Sequence, residues 1–236
     1  MNYNFIYGKI LKAYRKSGVD SFPFSTKDVL HYHGYTIVPY SFLETKKKGL
    51  SEMCFQYSED AFRFKNLIYY NDMQPKSRID FSLMHEFGHV LLEHQGEYDW
   101  QETEANYFAS NILAPRMAIH YARCTSPEDV HKRFKLSTEA SKYAYDSYLS
   151  WIDHIKNNGN KISGIDKDLY KHFYSEKYEM FVWNKSKCRC CGKIVYNNRI
   201  CECHSRRMYT YHDSDVYSIP GYVSGEYNYL YGKTLY

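Results

Sequence analysis

The sequence predicts an α+β fold, in which a small sheet packs on the helices that carry the chemistry, followed by a small cysteine-rich module. The segments 35–42 and 62–72 are rich in β-branched and aromatic residues and predict strands. Most of the segments that follow repeat apolar residues at helical spacing. Five of the seven cysteines lie between positions 188 and 203, a crowding typical of a metal-stabilised module. Strands followed by helices indicate an α+β main domain.

Helices are predicted where apolar residues recur every three or four positions and start or stop signals flank them. Ser25, followed three residues later by Asp28, resembles a capping box, and the helix that it opens is expected to end at Gly34. A longer helix is predicted from Ser77 to His94. The other predicted helices cover residues 5–17, residues 101–113, two segments between 126 and 159, and a short piece at 166–175.

The length of 236 residues suits one substantial core with a small appendage. We expect a main domain over residues 1–160, a helical linker over 161–185, a cysteine module over 186–207 and a tyrosine-rich tail over 208–236. The N-terminus lacks a signal-peptide pattern and no run of about 18 apolar residues occurs, so we expect a cytoplasmic protein that does not contact a membrane. The net charge of +4 permits contact with nucleic acid but does not indicate it.

The segment SLMHEFGHVLLEH, residues 82–94, places histidines and a glutamate inside an apolar helix. His85 and His89 are four residues apart and project from nearly the same face, so both imidazoles can bind one ion. Glu86 stands beside them, as in the HExxH pattern, where two histidines hold zinc and the glutamate transfers protons. The alternative is a structural helix whose histidines are satisfied in the core, so a third ligand has to decide between the two.

Two glutamates are candidates for that third ligand. A metzincin would require glycine at position 92 and histidine at position 95, but the sequence has Leu92 and Gln95, so that class is excluded. A glutamate on a second helix is the other common solution, and QETEANYFA offers Glu102 and Glu104. Helical positions two apart diverge by about 200°, so only one of the two faces the metal.

The paired motifs HEFGHVLLEH and ETEANYFASNILAP resemble the ImmA/IrrE family of bacterial metallopeptidases, over about residues 25–150. The resemblance implies a zincin-like metallopeptidase domain of the gluzincin type, whose third ligand is a glutamate with Asp or Asn one turn later. Glu102 with Asn106 fits this ExxxN spacing, which favours Glu102 over Glu104 and lets Asn106 hydrogen-bond a ligand histidine. The resemblance also implies cleavage of a DNA-binding transcriptional repressor, encoded nearby on a mobile element or phage or in a stress or toxin–antitoxin system.

The predicted chemistry is hydrolysis of a peptide bond by a zinc endopeptidase. Two histidines and one glutamate leave a fourth zinc position for water, whose pKa falls to about 7. Glu86 is the expected catalytic residue, because it can take the proton of that water and pass it to the leaving amine. The alternative is a non-proteolytic, metal-stabilised protein that binds a repressor or nucleic acid. Residues 129–149 resemble a helix-turn-helix, but few of them are basic, so helices of the main domain are favoured.

Two further roles concern His94 and the donor for the oxyanion. His94 lies nine residues after His85, a helical rotation of about 900°, which places it on the opposite face as a capping or solvated histidine. Hydrolysis also needs a donor for the oxyanion. Tyr107 and Arg78 are candidates, and the spacing selects neither.

The cluster KCRCCGKIVYNNRICECHS predicts a zinc ribbon, in which two ligand pairs are joined by a short hairpin. The expected ligands are Cys188, Cys191, Cys201 and Cys203, with His204 as the alternative fourth ligand and Cys190 as a competitor in the first pair. Four protein ligands leave no position for water, so this second zinc is expected to be structural. The alternative is a set of free thiols, which are chemically hazardous when exposed.

Overall fold

The computed structural model describes residues 1–96 and 98–204, which form helices and short strands and confirm the α+β class. The helices are α1 Tyr3–Ser17, α2 Thr26–Tyr32, α3 Tyr40–Lys46, α4 Leu50–Tyr57, α5 Lys76–Leu91, α6 Asp99–Leu113, α7 Arg116–Tyr121, α8 Pro127–Phe134, α9 Thr138–Asn157 and α10 Gly164–Phe173. The strands are β1 Thr36–Pro39, β2 Ala61–Phe64, β3 Leu67–Tyr70, β4 Tyr174–Ser175, β5 Met180–Phe181, β6 Lys185–Lys187 and β7 Ile194–Tyr196. The tail predicted over 208–236 lies outside the described residues.

The main sheet has three short strands in the order β1-β3-β2. β1 runs parallel to β3, and β2 runs antiparallel to β3 with Arg63 opposite Ile68. The single strand predicted over 62–72 is therefore wrong, because the chain reverses at Lys65, whose φ is +56°, and forms a β2–β3 hairpin. The strand predicted over 35–42 ends at Pro39, where α3 begins. β1 and β2 are therefore the two edge strands of this sheet.

Serine side chains cap several of the helices. Ser25 accepts a hydrogen bond from the N–H of Asp28, so the predicted capping box opens α2. Ser126 and Ser137 cap α8 and α9 in the same way. In residues 1–96 and 98–204, no helix combines the length and the apolar character needed to cross a bilayer.

The core lies between α5, α6 and α1. Leu83, Met84 and Phe87 on α5 are fully buried, as is Phe108 on α6. Gly88 allows the closest approach of the two helices, because a Cβ built there would lie 3.1 Å from a Phe108 ring carbon and 3.3 Å from the Ala105 Cα. Gly88 is thus the position at which the two helices pack most closely.

The segment after residue 160 packs on this core. Leu169 and Phe173 of α10 are buried together with Phe181 and Trp183. The Trp183 carbonyl accepts a hydrogen bond of 2.8 Å from the N–H of Phe22, which ties this segment to the chain before α2. The predicted linker over 161–185 is thus helical in part and shares the main core, while the domain boundaries themselves stay a prediction. The β6–β7 hairpin follows and begins the cysteine module.

Replacement of Gly88 by alanine tests the helix contact. We expect Gly88→Ala to lower the free energy of unfolding by about 1 to 3 kcal/mol, because the Ala105 backbone cannot move aside for the added methyl group. Gly8→Ala in α1 is the matched control, since nothing lies within 4 Å of a Cβ built at that position. That variant should be stabilised by up to about 1 kcal/mol through helix propensity. Urea unfolding of both variants measures the difference, and equal effects would contradict the packing role.

Candidate active site

The HExxH segment forms the last turns of α5, with its apolar side buried and its polar side in a cleft. Met84 and Phe87 anchor the helix in the core. His85 and His89 lie on the other face with 17% and 16% of their side chains exposed. The alternative of a structural helix whose histidines are satisfied in the core is therefore not favoured. Both histidines line the cleft.

Glu102, in the first turn of α6, brings a carboxylate to both histidines. Its Oε2 lies 3.2 Å from His85 Nε2, its Oε1 lies 3.2 Å from His89 Nε2, and the two Nε2 atoms are 3.0 Å apart. Ligands about 2.0 to 2.1 Å from a tetrahedral zinc ion are about 3.3 Å from one another. These three residues therefore have the spacing and the donor chemistry of a zinc site, and they form one of the potential metal-binding groups among the described residues.

Asn106 lies one turn after Glu102 and supports the first histidine. Its Oδ1 is 2.8 Å from His85 Nδ1, the hydrogen bond that the ExxxN spacing predicts. Such a bond leaves the lone pair of Nε2 free to bind a metal ion and fixes the orientation of the ring. Glu104 points elsewhere, so the structure brings Glu102 and not Glu104 to the two histidines.

His94 is not on the opposite face, and the expectation of a capping or solvated histidine is wrong. α5 ends at Leu91, and Glu93 adopts a left-handed φ of +61°, so the chain turns back. The His94 side chain is 3% exposed, and its Nδ1 is 3.0 Å from His89 Nδ1. On its other side, His94 Nε2 lies 3.3 Å from Glu104 Oε2. The expected position of His94 assumed that the helix continues to residue 94, but α5 ends at Leu91.

Burial shifts the pKa values of His89 and Glu86 in opposite directions. Burial, followed by the charges of His85 and His94, lowers the pKa of His89 to about 4, so its imidazole is neutral and able to bind a metal. Burial raises the pKa of Glu86 to about 7, and the nearby Arg63 opposes this shift while Glu102 adds to it. A carboxyl group that titrates near neutral pH is suited to accept and return a proton.

The cleft around these residues has a volume of about 1160 Å³ and lies between the edge strand β2 and α9. Arg63, His94 and Tyr143 line it, and neither Arg63 nor Tyr143 belongs to a motif in the sequence. Arg78 also lines the cleft, but its Nε and Nη2 bind the Asp60 carboxylate at 2.6 and 2.9 Å.

Tyr107, the other candidate oxyanion donor, lies on a different face of α6. Its ring is 5.1 Å from that of Tyr3, and its hydroxyl oxygen accepts a hydrogen bond of 3.0 Å from Ser147. It does not line the cleft, so its proposed role as an oxyanion donor is not supported by this geometry.

The cysteine module forms a second donor cluster. The Sγ atoms of Cys188 and Cys203 are 3.5 Å apart, those of Cys203 and Cys201 are 3.5 Å apart, and those of Cys201 and Cys191 are 3.4 Å apart. Thiolates about 2.3 Å from a tetrahedral zinc ion are about 3.8 Å apart. His204 Nδ1 also lies 3.3 Å from Cys203 Sγ, so both alternatives for the fourth ligand are close to the cluster.

The turn of the cysteine hairpin prepares its first ligand. Cys188 follows β6 directly, and Gly192, with φ of +73°, closes the turn through a hydrogen bond of 2.9 Å to the Cys188 carbonyl. The N–H groups of Cys191 and Cys190 lower the pKa of the Cys188 thiol to about 6, which favours the thiolate that metals bind. The Cys190 side chain is exposed and contacts none of the other thiols in the described residues.

Residues 32–145 match the family model Peptidase_M78, described as the IrrE N-terminal-like domain. This segment is a Peptidase_M78 domain. It contains His85, Glu86, His89 and Glu102, and the recognised resemblance to the ImmA/IrrE family is thereby confirmed. Peptidase_M78 is a family of metallopeptidases, so a protein is the substrate class that membership implies. Neither the curated proteins nor the solved structures contain a significant match to the chain.

Single substitutions of the two glutamates distinguish their roles in the Peptidase_M78 domain. We expect Glu102→Ala to lose one zinc ion per chain, because it removes a carboxylate whose two oxygens lie 3.2 Å from His85 and from His89. Glu104→Ala should keep that ion with about 10-fold to 100-fold weaker affinity, since Glu104 acts only through His94. Native mass spectrometry at graded zinc concentrations measures both. Equal retention of zinc in the two variants would contradict the ligand assignment.

Proposed function

We propose that the chain is a zinc-dependent endopeptidase that hydrolyses a peptide bond in a protein substrate. The observation that carries this proposal is the meeting of His85, His89 and Glu102 beside Glu86, with ligand atoms 3.0 to 3.2 Å apart. Two imidazoles and one carboxylate are a donor set of catalytic zinc sites, which keep a further position open. Membership of residues 32–145 in a metallopeptidase family supports the same conclusion.

Glu86 is the proposed proton carrier of the reaction. A zinc ion, when bound, supplies Lewis-acid chemistry that polarises a peptide carbonyl and makes water a better nucleophile. Glu86 is adjacent to His85 on α5, lines the cleft, and accepts the proton that the attacking water loses. It then delivers that proton to the amine of the leaving peptide. The positive charge of Arg63 near Glu86 favours its ionised form at the start of the cycle.

Two hydrogen-bonded supports hold the histidines for this chemistry. Asn106 fixes the His85 ring through Nδ1, and His94 contacts Nδ1 of the His89 ring. Glu104 accepts from the far side of His94 and so orients its ring in turn. Each ligand histidine thus has a partner on its second nitrogen, as metal-binding histidines require.

The substrate is proposed to be an extended segment of a protein. The edge strand β2 borders the cleft with Arg63, and one side of an edge strand is free to pair with an added strand. The exposed rings of Tyr98 and Tyr143 line the same cleft and offer apolar area to side chains of the substrate. A DNA-binding repressor encoded nearby is the proposed protein, and the resemblance of the motif pair to the ImmA/IrrE family supports it.

A second zinc ion is proposed at the cysteine module, with Cys188, Cys191, Cys201 and Cys203 as ligands. Sγ contacts of 3.4 to 3.5 Å join these four residues in series. The ligand atoms of Cys188, Cys201, Cys203 and His204 also lie within 4.8 Å of one another, so His204 remains an alternative ligand. Four protein ligands complete a tetrahedral shell, so the ion is proposed to stabilise the module and not to take part in hydrolysis.

The general-base role is tested by Glu86→Gln. We expect this variant to keep the zinc ion of the active site and to cleave the repressor encoded beside it about 10²-fold to 10⁴-fold more slowly. Glu93→Gln is the control, because Glu93 is 78% exposed and pairs only with Lys9 in the described residues. Fragment analysis by mass spectrometry and metal analysis report the two properties. Unchanged cleavage by the zinc-loaded Glu86→Gln protein would favour the non-proteolytic alternative.

The cysteine site is tested by two neighbouring substitutions. Cys201→Ser should release one zinc ion per chain when a competing chelator is added, because Cys201 contacts both Cys191 and Cys203. Cys190→Ser should hold zinc as the unchanged protein does, since its side chain lies outside the cluster. A colorimetric chelator assay follows the release. Equal zinc retention by the two variants would overturn the proposed ligand set.

A further inference from the structure

A second cavity lies behind α6, away from the metal-binding residues. It has a volume of about 580 Å³, within the range of pockets for small molecules. Its walls come from residues 1–4, α9, α10, Tyr107 and Arg116. Tyr107 follows Asn106 directly in α6, but the two side chains lie on different faces, since Asn106 contacts His85 and Tyr107 contacts Tyr3. The cavity is therefore separate from the proposed active site.

Arg116 is the buried cation of this cavity, with 7% of its side chain exposed. Asp166 holds it from one side, because Oδ1 accepts hydrogen bonds from Nε at 3.0 Å and from Nη2 at 2.7 Å. The Tyr7 ring lies 4.1 Å from the guanidinium carbon and the Trp151 ring lies 5.5 Å from it. These contacts fix the plane of the guanidinium before any ligand arrives.

One nitrogen of this fixed guanidinium remains available. Within residues 1–96 and 98–204, Arg116 uses Nε and Nη2 for Asp166, and Nη1 makes no hydrogen bond. Asp166 is fully occupied, since its Oδ2 accepts from Trp151 Nε1 at 3.0 Å and from Ser163 Oγ at 2.7 Å. A buried arginine that served only to join α7 to α10 would need no open space beside it, but this one borders a cavity.

The remaining charge of the cavity is positive. Asp166 is the one carboxylate among the lining residues, whereas Arg116 and Lys161 are both cations. Lys161 makes no ion pair with the described part of the chain. The hydroxyl of Ser150 adds a polar group on the α9 wall. A guanidinium with a free nitrogen, a nearby ammonium and flat aromatic rings suit an anion attached to a planar group.

We propose that this cavity binds a small organic anion, a carboxylate or phosphate ester, through Arg116 and Lys161. The rings of Trp151 and Tyr107 contact the uncharged part of the ligand. The proposal is independent of peptide hydrolysis, since it uses none of the residues around His85 and His89.

Binding is tested by calorimetry on the full, zinc-loaded chain with three probes of similar size. Benzoate and phenyl phosphate carry the two anionic groups, and benzamide is the neutral analogue of benzoate. We expect at least one of the two anions to bind with a micromolar to low millimolar Kd, and benzamide not to bind. The anion that binds with the lower Kd identifies whether the cavity prefers a carboxylate or a phosphate ester. Failure of both anions, or equal binding of benzamide, would overturn the proposal.

Substitutions assign the bound probe to this cavity. Ser150→Phe should abolish binding by filling the space, and it removes only a hydrogen bond to the Asp146 carbonyl within the same helix. Lys161→Gln should weaken binding about twofold to fivefold, as for an exposed ion pair. Lys156→Gln is its matched control, because Lys156 is exposed on α9 and does not line the cavity. Binding that persists unchanged in both Ser150→Phe and Lys161→Gln would contradict the assignment.

A final control separates this cavity from the metal site, which could itself bind anions. His85→Ala removes a proposed ligand of the active-site zinc and leaves the cavity lining intact. We expect its affinity for the probe to equal that of the unchanged protein. Loss of binding in this variant would place the anion at the metal and overturn the proposal, whereas the proposed peptidase function would be unaffected.

Discussion

The contact between α5 and α6 at Gly88 is the constraint on which the site depends. Gly88 lies one residue before His89, and Ala105 lies one turn after Glu102. The distance between the two helices at this point therefore sets the distance between the histidines and the carboxylate. A zinc site tolerates errors of only a few tenths of an ångström in its ligands. The absence of a side chain at position 88 thus helps to set the geometry of the proposed metal site, although glycine itself binds nothing.

Around this contact, each of the three histidines has a polar partner on a ring nitrogen. His85 has Asn106, His89 has His94, and His94 has Glu104. Burying imidazoles without partners would cost free energy and leave their rings free to rotate. The pairing fixes the orientation of the rings. Side chains oriented in this way support the geometry that a metal site needs.

The sequence predicted those parts of the site that follow from one regular helix. The spacing of His85 and His89, and of Glu102 and Asn106, specifies one face of a helix in each case, and the structure has both faces as expected. His94 was misplaced because its position depends on where α5 ends, and Glu93 takes a left-handed conformation that spacing does not predict. Arg63 was missed because the turn at Lys65 divides a segment that otherwise has the composition of one strand.

The cavity at Arg116 could not be predicted from local patterns in the sequence. Its walls come from the N-terminal residues, α6, α7, α9 and α10, so no segment of the sequence contains a motif for it. Trp151 and Ile155 lie on one buried side of α9, and no local pattern shows that an arginine thirty-five residues earlier lies beside Trp151. The two donor clusters differ from this cavity, because their ligands are close in sequence. Sites built within one or two helices or one hairpin are therefore readable from spacing, whereas a site formed where five segments meet becomes visible only in the packed structure.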